Sequence, residues 1–121
     1  MFEKKQMNQQ DPEQFVCPIR ATLSVIGGKW KSIILFYLFV DGVHRFSDLR
    51  RKLPEISDQV LTKQLRELEA NGIVERKAYA EIPARVEYSM TEYGRTLQPI
   101  ADAMCDWGME FIAKQDGSME T

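Results

Sequence analysis

In the stretch ISDQVLTKQLRELEANGIVER, residues 56–76, Gln59, Lys63 and Arg66 recur at spacings of four and three. Side chains so spaced share one face of an α-helix. Glutamine can pair with an adenine edge, and lysine or arginine with guanine or a phosphate oxygen. With Leu61 as the centre of a buried face, Leu65 and Leu68 fall within about 40° of it at about 100° per residue. Gln59, Lys63, Arg66 and Ala70 then fall within about 40° of the opposite direction. Thr62 lies on the flank, and the small Ala70 permits close approach to a partner surface. A helix about 10–12 Å across fits the major groove of double-stranded DNA. Taken alone, the same row also fits an ordinary solvated helix face, with Glu67 paired to nearby cations.

Cations on both sides of this stretch belong to the same geometry. Arg45, Ser47, Arg50 and Arg51 precede it in HRFSDLRRKL, where they suit contacts that fix register on the DNA backbone without reading sequence. Arg76, Lys77 and Arg85 follow it, placed to reach an adjacent minor groove or its phosphates. The net charge of −2 argues against indiscriminate binding to polyanions, but the charge is unevenly spread. Residues 20–95 hold 13 basic and 10 acidic side chains, whereas residues 96–121 hold one lysine and five acids.

The elements that must position these residues are legible in turn. Pro18 suits the first turn of a helix carrying Ile19, Leu23 and Ile26 on one face, stopped by Gly27-Gly28. KWKSIILFYLFV, residues 29–40, is apolar nearly all round and reads as a central buried helix, although its β-branched and aromatic residues leave a strand open. Asp41-Gly42 ends it. Ser47 is the expected N-cap of a short third helix closed before Pro54, with Phe46, Leu49 and Leu53 turned inward. Ser57 caps the fourth helix and Asn71-Gly72 ends it. Residues 73–80 and 85–90 alternate as strands of a hairpin around EIPA, and a first strand near residues 43–45 would complete the sheet. Thr91 is expected to cap one last helix, in which Leu97, Ile100, Met104, Trp107 and Phe111 form an apolar seam.

The expected fold is therefore mainly α with a small β-hairpin: a winged helix-turn-helix with helical dimerisation elements at both termini. One domain is expected over residues 15–115, between a flexible N-terminal arm (1–14) and a flexible C-terminal tail (116–121). Ile19, Leu23, Ile100, Met104, Trp107 and Phe111 are the expected dimer surface, because a single reading helix covers too little DNA for tight binding. No run of 18 apolar residues exists and the N-terminus lacks the apolar core of a secretory signal, so a cytoplasmic protein with no membrane partner is expected.

Two cysteines and one histidine offer little other chemistry. No CxxC pair exists, and neither a metal nor any other cofactor is expected. Cys17 sits where a helix N-terminus and Arg20 favour a thiolate, which suits a redox sensor as well as an inert thiol. Cys105 is expected in the core. A thiol hydrolase using His44 lacks paired carboxylates and a phosphate loop, so no enzyme is expected. A winged-helix module that binds protein without DNA is the remaining alternative, and the basic middle of the chain speaks against it.

The strings CPI, LSVIGGKWKSIIL, RFSDLRRKLPEIS, LTKQLRELEANGIVER, PARVEYSMTEYGRTLQPI and MCDWG together resemble HxlR-type transcriptional regulators, winged-helix proteins related in fold to the MarR group. The resemblance spans residues 17–112. It implies a homodimer with one winged helix per subunit, bound to a palindromic operator, and the expected role is that of a repressor or dual regulator. By position it places Ser57, Gln59, Thr62, Lys63 and Arg66 on the recognition helix. It places Arg45 and the basic residues of RFSDLRRK on the backbone-contacting helix, and Arg85 on the wing. Cys17 matches a cysteine before proline that senses oxidants or electrophiles in some members, implying an oxidant or small-molecule effector.

Overall fold

Ile34, Leu35 and Leu38 project from one side of a helix into the centre of the molecule, where they join the buried residues of the other helices and the sheet, α6 excepted. The computed structural model describes residues 17–116. Its elements are α1 (Pro18–Ile26), α2 (Lys31–Asp41), β1 (His44–Arg45), α3 (Phe46–Lys52), α4 (Asp58–Ala70), β2 (Val74–Tyr79), β3 (Arg85–Met90), α5 (Glu92–Arg95) and α6 (Gln98–Asp116). The apolar residues of α2 form a helix and not a strand. Gly42, at φ 79°, takes the left-handed turn that ends it.

The three strands are antiparallel in the order β1-β3-β2. β2 and β3 pair from Val74↔Met90 to Tyr79↔Arg85, and the expected first strand is present as His44↔Tyr88 and Arg45↔Glu87. Val74, Tyr88 and Met90 turn inward from the sheet onto the leucines of α3 and α4. The hairpin closes through residues 80–84, one residue wider than EIPA.

Three expectations are corrected. Ser47 does not cap α3; Arg45 holds the N-cap position and Ser47 lies exposed in the first turn. The carboxylate of Asp48 accepts the Arg45 backbone N–H at 2.9 Å, so a side chain from inside the helix satisfies its start. The terminal helix is two helices. Thr91 caps only α5, accepting the Gly94 N–H at 2.8 Å, and α6 begins at Gln98. Pro99 has no N–H to donate to the Arg95 carbonyl, so one continuous helix from residue 92 would lack that bond. Cys105 is exposed and not part of the core. The arm over residues 1–14 lies outside the described residues. So does the tail, apart from Asp116, which ends α6.

Leu65 is fully enclosed among these elements. Leu65→Ala is expected to cost about 2–5 kcal/mol of unfolding free energy in urea titrations. Gln59→Ala, on the opposite face of α4, is expected to stay within about 0.5 kcal/mol of the parent.

Candidate nucleic-acid interface

α4 is fixed at both ends. Ser57 accepts the Val60 N–H at 3.1 Å. At the other end Gly72, at φ 77°, lets its own N–H reach the Glu69 carbonyl and the Ile73 N–H reach the Leu68 carbonyl. Leu61, Leu65 and Leu68 are buried, which sets the rotation of the helix about its axis. Gln59, Lys63, Arg66 and Ala70 stand exposed on the other side, as the spacing predicts. Thr62, half-buried, lies on the flank.

Arg50 locks the preceding turn. Its Nε lies 2.6 Å from Asp58 Oδ1 and its Nη1 donates to the Ile56 carbonyl at 3.2 Å. Ile56 and Leu53 are buried beneath that turn. The angle between α3 and α4 is thus held by one guanidinium above and two apolar side chains below.

The basic residues named from the sequence divide into two sets. Arg50 is paired with Asp58. Arg51 is paired with Asp48 at 2.7 Å, and Arg85 with Glu81 at 3.0 Å and Glu87 at 3.5 Å. The Arg85 guanidinium also covers the Tyr79 ring at 3.8 Å. By contrast, Arg45, Lys63, Arg66, Arg76 and Lys77 form no ion pair among the described residues. Glu67, next to Arg66 in the chain, pairs with Lys31 of α2 at 2.7 Å, and that bond holds its carboxyl below the usual range. The i,i+3 spacing of Asp48 and Arg51 was a readable signal of the pairing. The Arg50–Asp58 contact crosses a turn and had none.

His44 is a functional-looking residue with a structural task. It is buried, with Nδ1 2.7 Å from the Gly42 carbonyl and Nε2 2.8 Å from Lys52 Nζ. A carbonyl only accepts and an ammonium only donates, so Nδ1 carries the proton and Nε2 the lone pair. Lys52 Nζ also donates to Asp41 at 2.8 Å, which holds that carboxyl low. The chain Asp41–Lys52–His44 braces the end of α2 against α3 and β1. No group of metal-binding side chains occurs among the described residues.

The apolar residues assigned to self-association are exposed in the single chain. Ile19 and Leu23 of α1 are about half accessible, and α6 has no buried residue at all. Along α6, Ile100, Met104, Trp107 and Phe111 face one direction, and the Trp107 and Phe111 rings stack at 5.5 Å. Only Leu97, at the entry to α6, packs on the core. Cys17 is the N-cap residue of α1 and partly exposed. The backbone N–H groups of Arg20 and Ile19, helped by the Arg20 charge, hold its thiol below the ordinary value. Among the described residues, no single helix is long and apolar enough to cross a membrane.

This arrangement has close counterparts. The HTH-type transcriptional regulator YybR of Bacillus subtilis is 54% identical over 108 residues, covering 89% of this chain and 83% of YybR. The structure of the redox regulator HypR in its reduced form superposes with a TM-score of 0.77 at 49% identity, covering 83% of this chain and 98% of HypR. The reduced form of the regulator YodB from B. subtilis superposes at 0.70 with 37% identity, covering 79% and 95%. Residues 25–116 match the family model of HxlR-like helix-turn-helix proteins. Two cations and an amide presented by a helix whose ends and rotation are fixed, in a fold shared with these regulators, place this chain in the HxlR-like helix-turn-helix family of transcriptional regulators, which are not enzymes.

Proposed function

We propose that the protein acts as a homodimeric repressor on a palindromic operator in double-stranded DNA and that the state of Cys17 tunes its grip. The observation that carries this reading is the outer face of α4. Lys63 and Arg66 stand beside Gln59 with no carboxylate paired to them among the described residues. Cations left without partners on a rigid helix are available to phosphates and base edges. Ser57 and Thr62, at the start and on the flank of α4, complete the recognition set. Arg45 and Ser47 at the start of α3 suit backbone contacts, with Arg50 and Arg51 behind them. Lys77 and Arg85 serve the wing.

A dimer supplies two reading helices about one helical turn of DNA apart, about 34–36 Å. The exposed apolar faces of α1 and α6 support that assembly. A 19-residue helix with no buried side chain gains its cover from a second copy. Cys17 lies on α1, at one edge of the same surface. Its lowered thiol is suited to react with oxidants or electrophiles, and the likeness to HypR, described as a redox regulator, supports that role.

Arg66→Ala and Lys63→Ala are each expected to weaken operator binding by about tenfold or more in fluorescence anisotropy while sedimentation still gives a dimer. Unchanged operator affinity in both would remove α4 as the reading helix. Trp107→Asp is expected to convert the dimer to monomer in sedimentation velocity with the helical circular dichroism retained, and a dimer of undiminished stability would refute the α6 interface. Treatment with an electrophile such as N-ethylmaleimide is expected to change operator affinity of the parent but not of Cys17→Ser. Equal responses in the two proteins would exclude Cys17 as the sensor.

A further inference from the structure

Between α4 and the sheet lies an open notch of about 560 Å³, walled by Thr62, Arg66 and Glu69 on one side and Arg76 on the other. Phe46, Val86 and Tyr88 form its floor. Arg76 belongs to β2 and pairs in register with Tyr88, near the base of the hairpin and three residues from its far end at Tyr79. Its side chain therefore rises beside α4, away from the tip of the wing. Neither Arg66 nor Arg76 has an ion pair among the described residues, and Thr62 Oγ1 has no hydrogen-bond partner there. Two guanidinium groups from different elements thus approach one concavity with their donors unspent. Glu69 is the single acid in its wall.

The dimensions of DNA say what belongs in such a place. The major groove is about 12 Å wide and the helix that would enter it is about 10–12 Å across. A helix that fills the groove brings a wall of phosphates against each flank. Thr62 and Arg66 mark the flank of α4 that faces the sheet, so the strand passing on that side runs over the notch.

We propose that the notch seats one phosphodiester of the operator, gripped from two sides by Arg66 and Arg76 with the Thr62 hydroxyl as a third donor. This inference rests on DNA binding by α4 and adds to it a contact made by the sheet. Of the minor-groove and phosphate contacts expected of the wing, it assigns Arg76 the sequence-blind one and places it beside α4. A guanidinium on a phosphate adds a charge-assisted, bidentate hydrogen bond wherever the site lies. Glu69 opposes it by placing a negative charge beside the phosphate.

The test compares parent, Arg76→Ala, Glu69→Gln and Lys63→Ala dimers on the operator, on random duplex, and on operators whose flanks are A·T-rich or G·C-rich. Binding is followed across a salt titration. Arg76→Ala is expected to lose about tenfold on every duplex alike at moderate salt, and the slope of log K against log salt is expected to fall by about one phosphate contact per subunit. Glu69→Gln is expected to bind all of them a few-fold more tightly. Lys63→Ala is expected to lose preference for the operator over random duplex, a change that Arg76→Ala does not share. Unaltered affinity and slope in Arg76→Ala, with the parent still binding duplex steeply with salt, would overturn the notch and leave the reading helix standing. A loss in Arg76→Ala confined to A·T-rich flanks would overturn it in favour of a minor-groove contact. A parent that binds no duplex would overturn both.

Discussion

The burial of Leu61, Leu65 and Leu68 is the constraint on which the rest of this molecule depends. A helix can rotate about its own axis at little local cost, so nothing within α4 decides which residues meet solvent. The three leucines decide it, because each is enclosed by α2, α3 and the sheet. Rotating the helix by half a turn would expose all three and bury Lys63 and Arg66, at several kcal/mol for each desolvated charge. The outward row is therefore fixed by what lies on its reverse. Ser57 and Gly72 add the axial limits, and Arg50 the angle to α3. A reading surface needs all of these at once, since base contacts tolerate only small errors of position.

The second organising fact is how the acids are distributed. Asp48, Asp58, Glu67, Glu81 and Glu87 each hold a cation, and the cations they hold are mostly those that stitch elements together. Exposed ion pairs contribute little to stability one by one. Their larger effect here is on availability. Arg50, Arg51 and Arg85 would have to exchange a carboxylate for a phosphate, whereas Arg45, Lys63, Arg66 and Arg76 need exchange only water. Counting basic residues along the chain ranks these seven equally. Their partners separate them, and the separation leaves a compact patch around α4 on a protein whose total charge is −2.

Much of this was legible before any coordinates. The leucine stripe, the outward row, Ser57 as a cap, Pro18 at the start of α1 and the strands on either side of Pro83 follow from spacing and local chemistry, and each is present. What spacing could not give was anything decided by residues distant in sequence. Ser47 looks like a cap in isolation, but Asp48 satisfies the Arg45 N–H and the helix starts two residues earlier. Pro99 was readable as a residue without a donor, yet the apolar seam running through it suggested one unbroken helix. Arg50 and Asp58 are eight residues apart across a turn, and His44 meets Lys52 only after α3 has folded back. Both contacts are tertiary. The one histidine invited a catalytic reading because nothing local showed that both of its nitrogens were spoken for.

The same distinction explains why α6 differs from every other helix. α4 buries its apolar stripe within the chain and keeps its polar face free, whereas α6 presents Ile100, Met104, Trp107 and Phe111 to solvent and buries none of its residues. A long helix with little tertiary cover is marginal by itself in water. Its seam implies a surface supplied from outside, and the half-exposed Ile19 and Leu23 on α1 have the same need. Cys17 is the N-cap of α1, so in the dimer proposed above a change in that thiol acts beside the surface that joins the two subunits. α4 is rigidly seated in its own chain, so in the proposed dimer any shift between subunits is passed undiminished to the separation of the two α4 helices. The rigidity that fixes which face of α4 points outward thus makes, on the proposed assembly, the spacing between two such faces the quantity open to control.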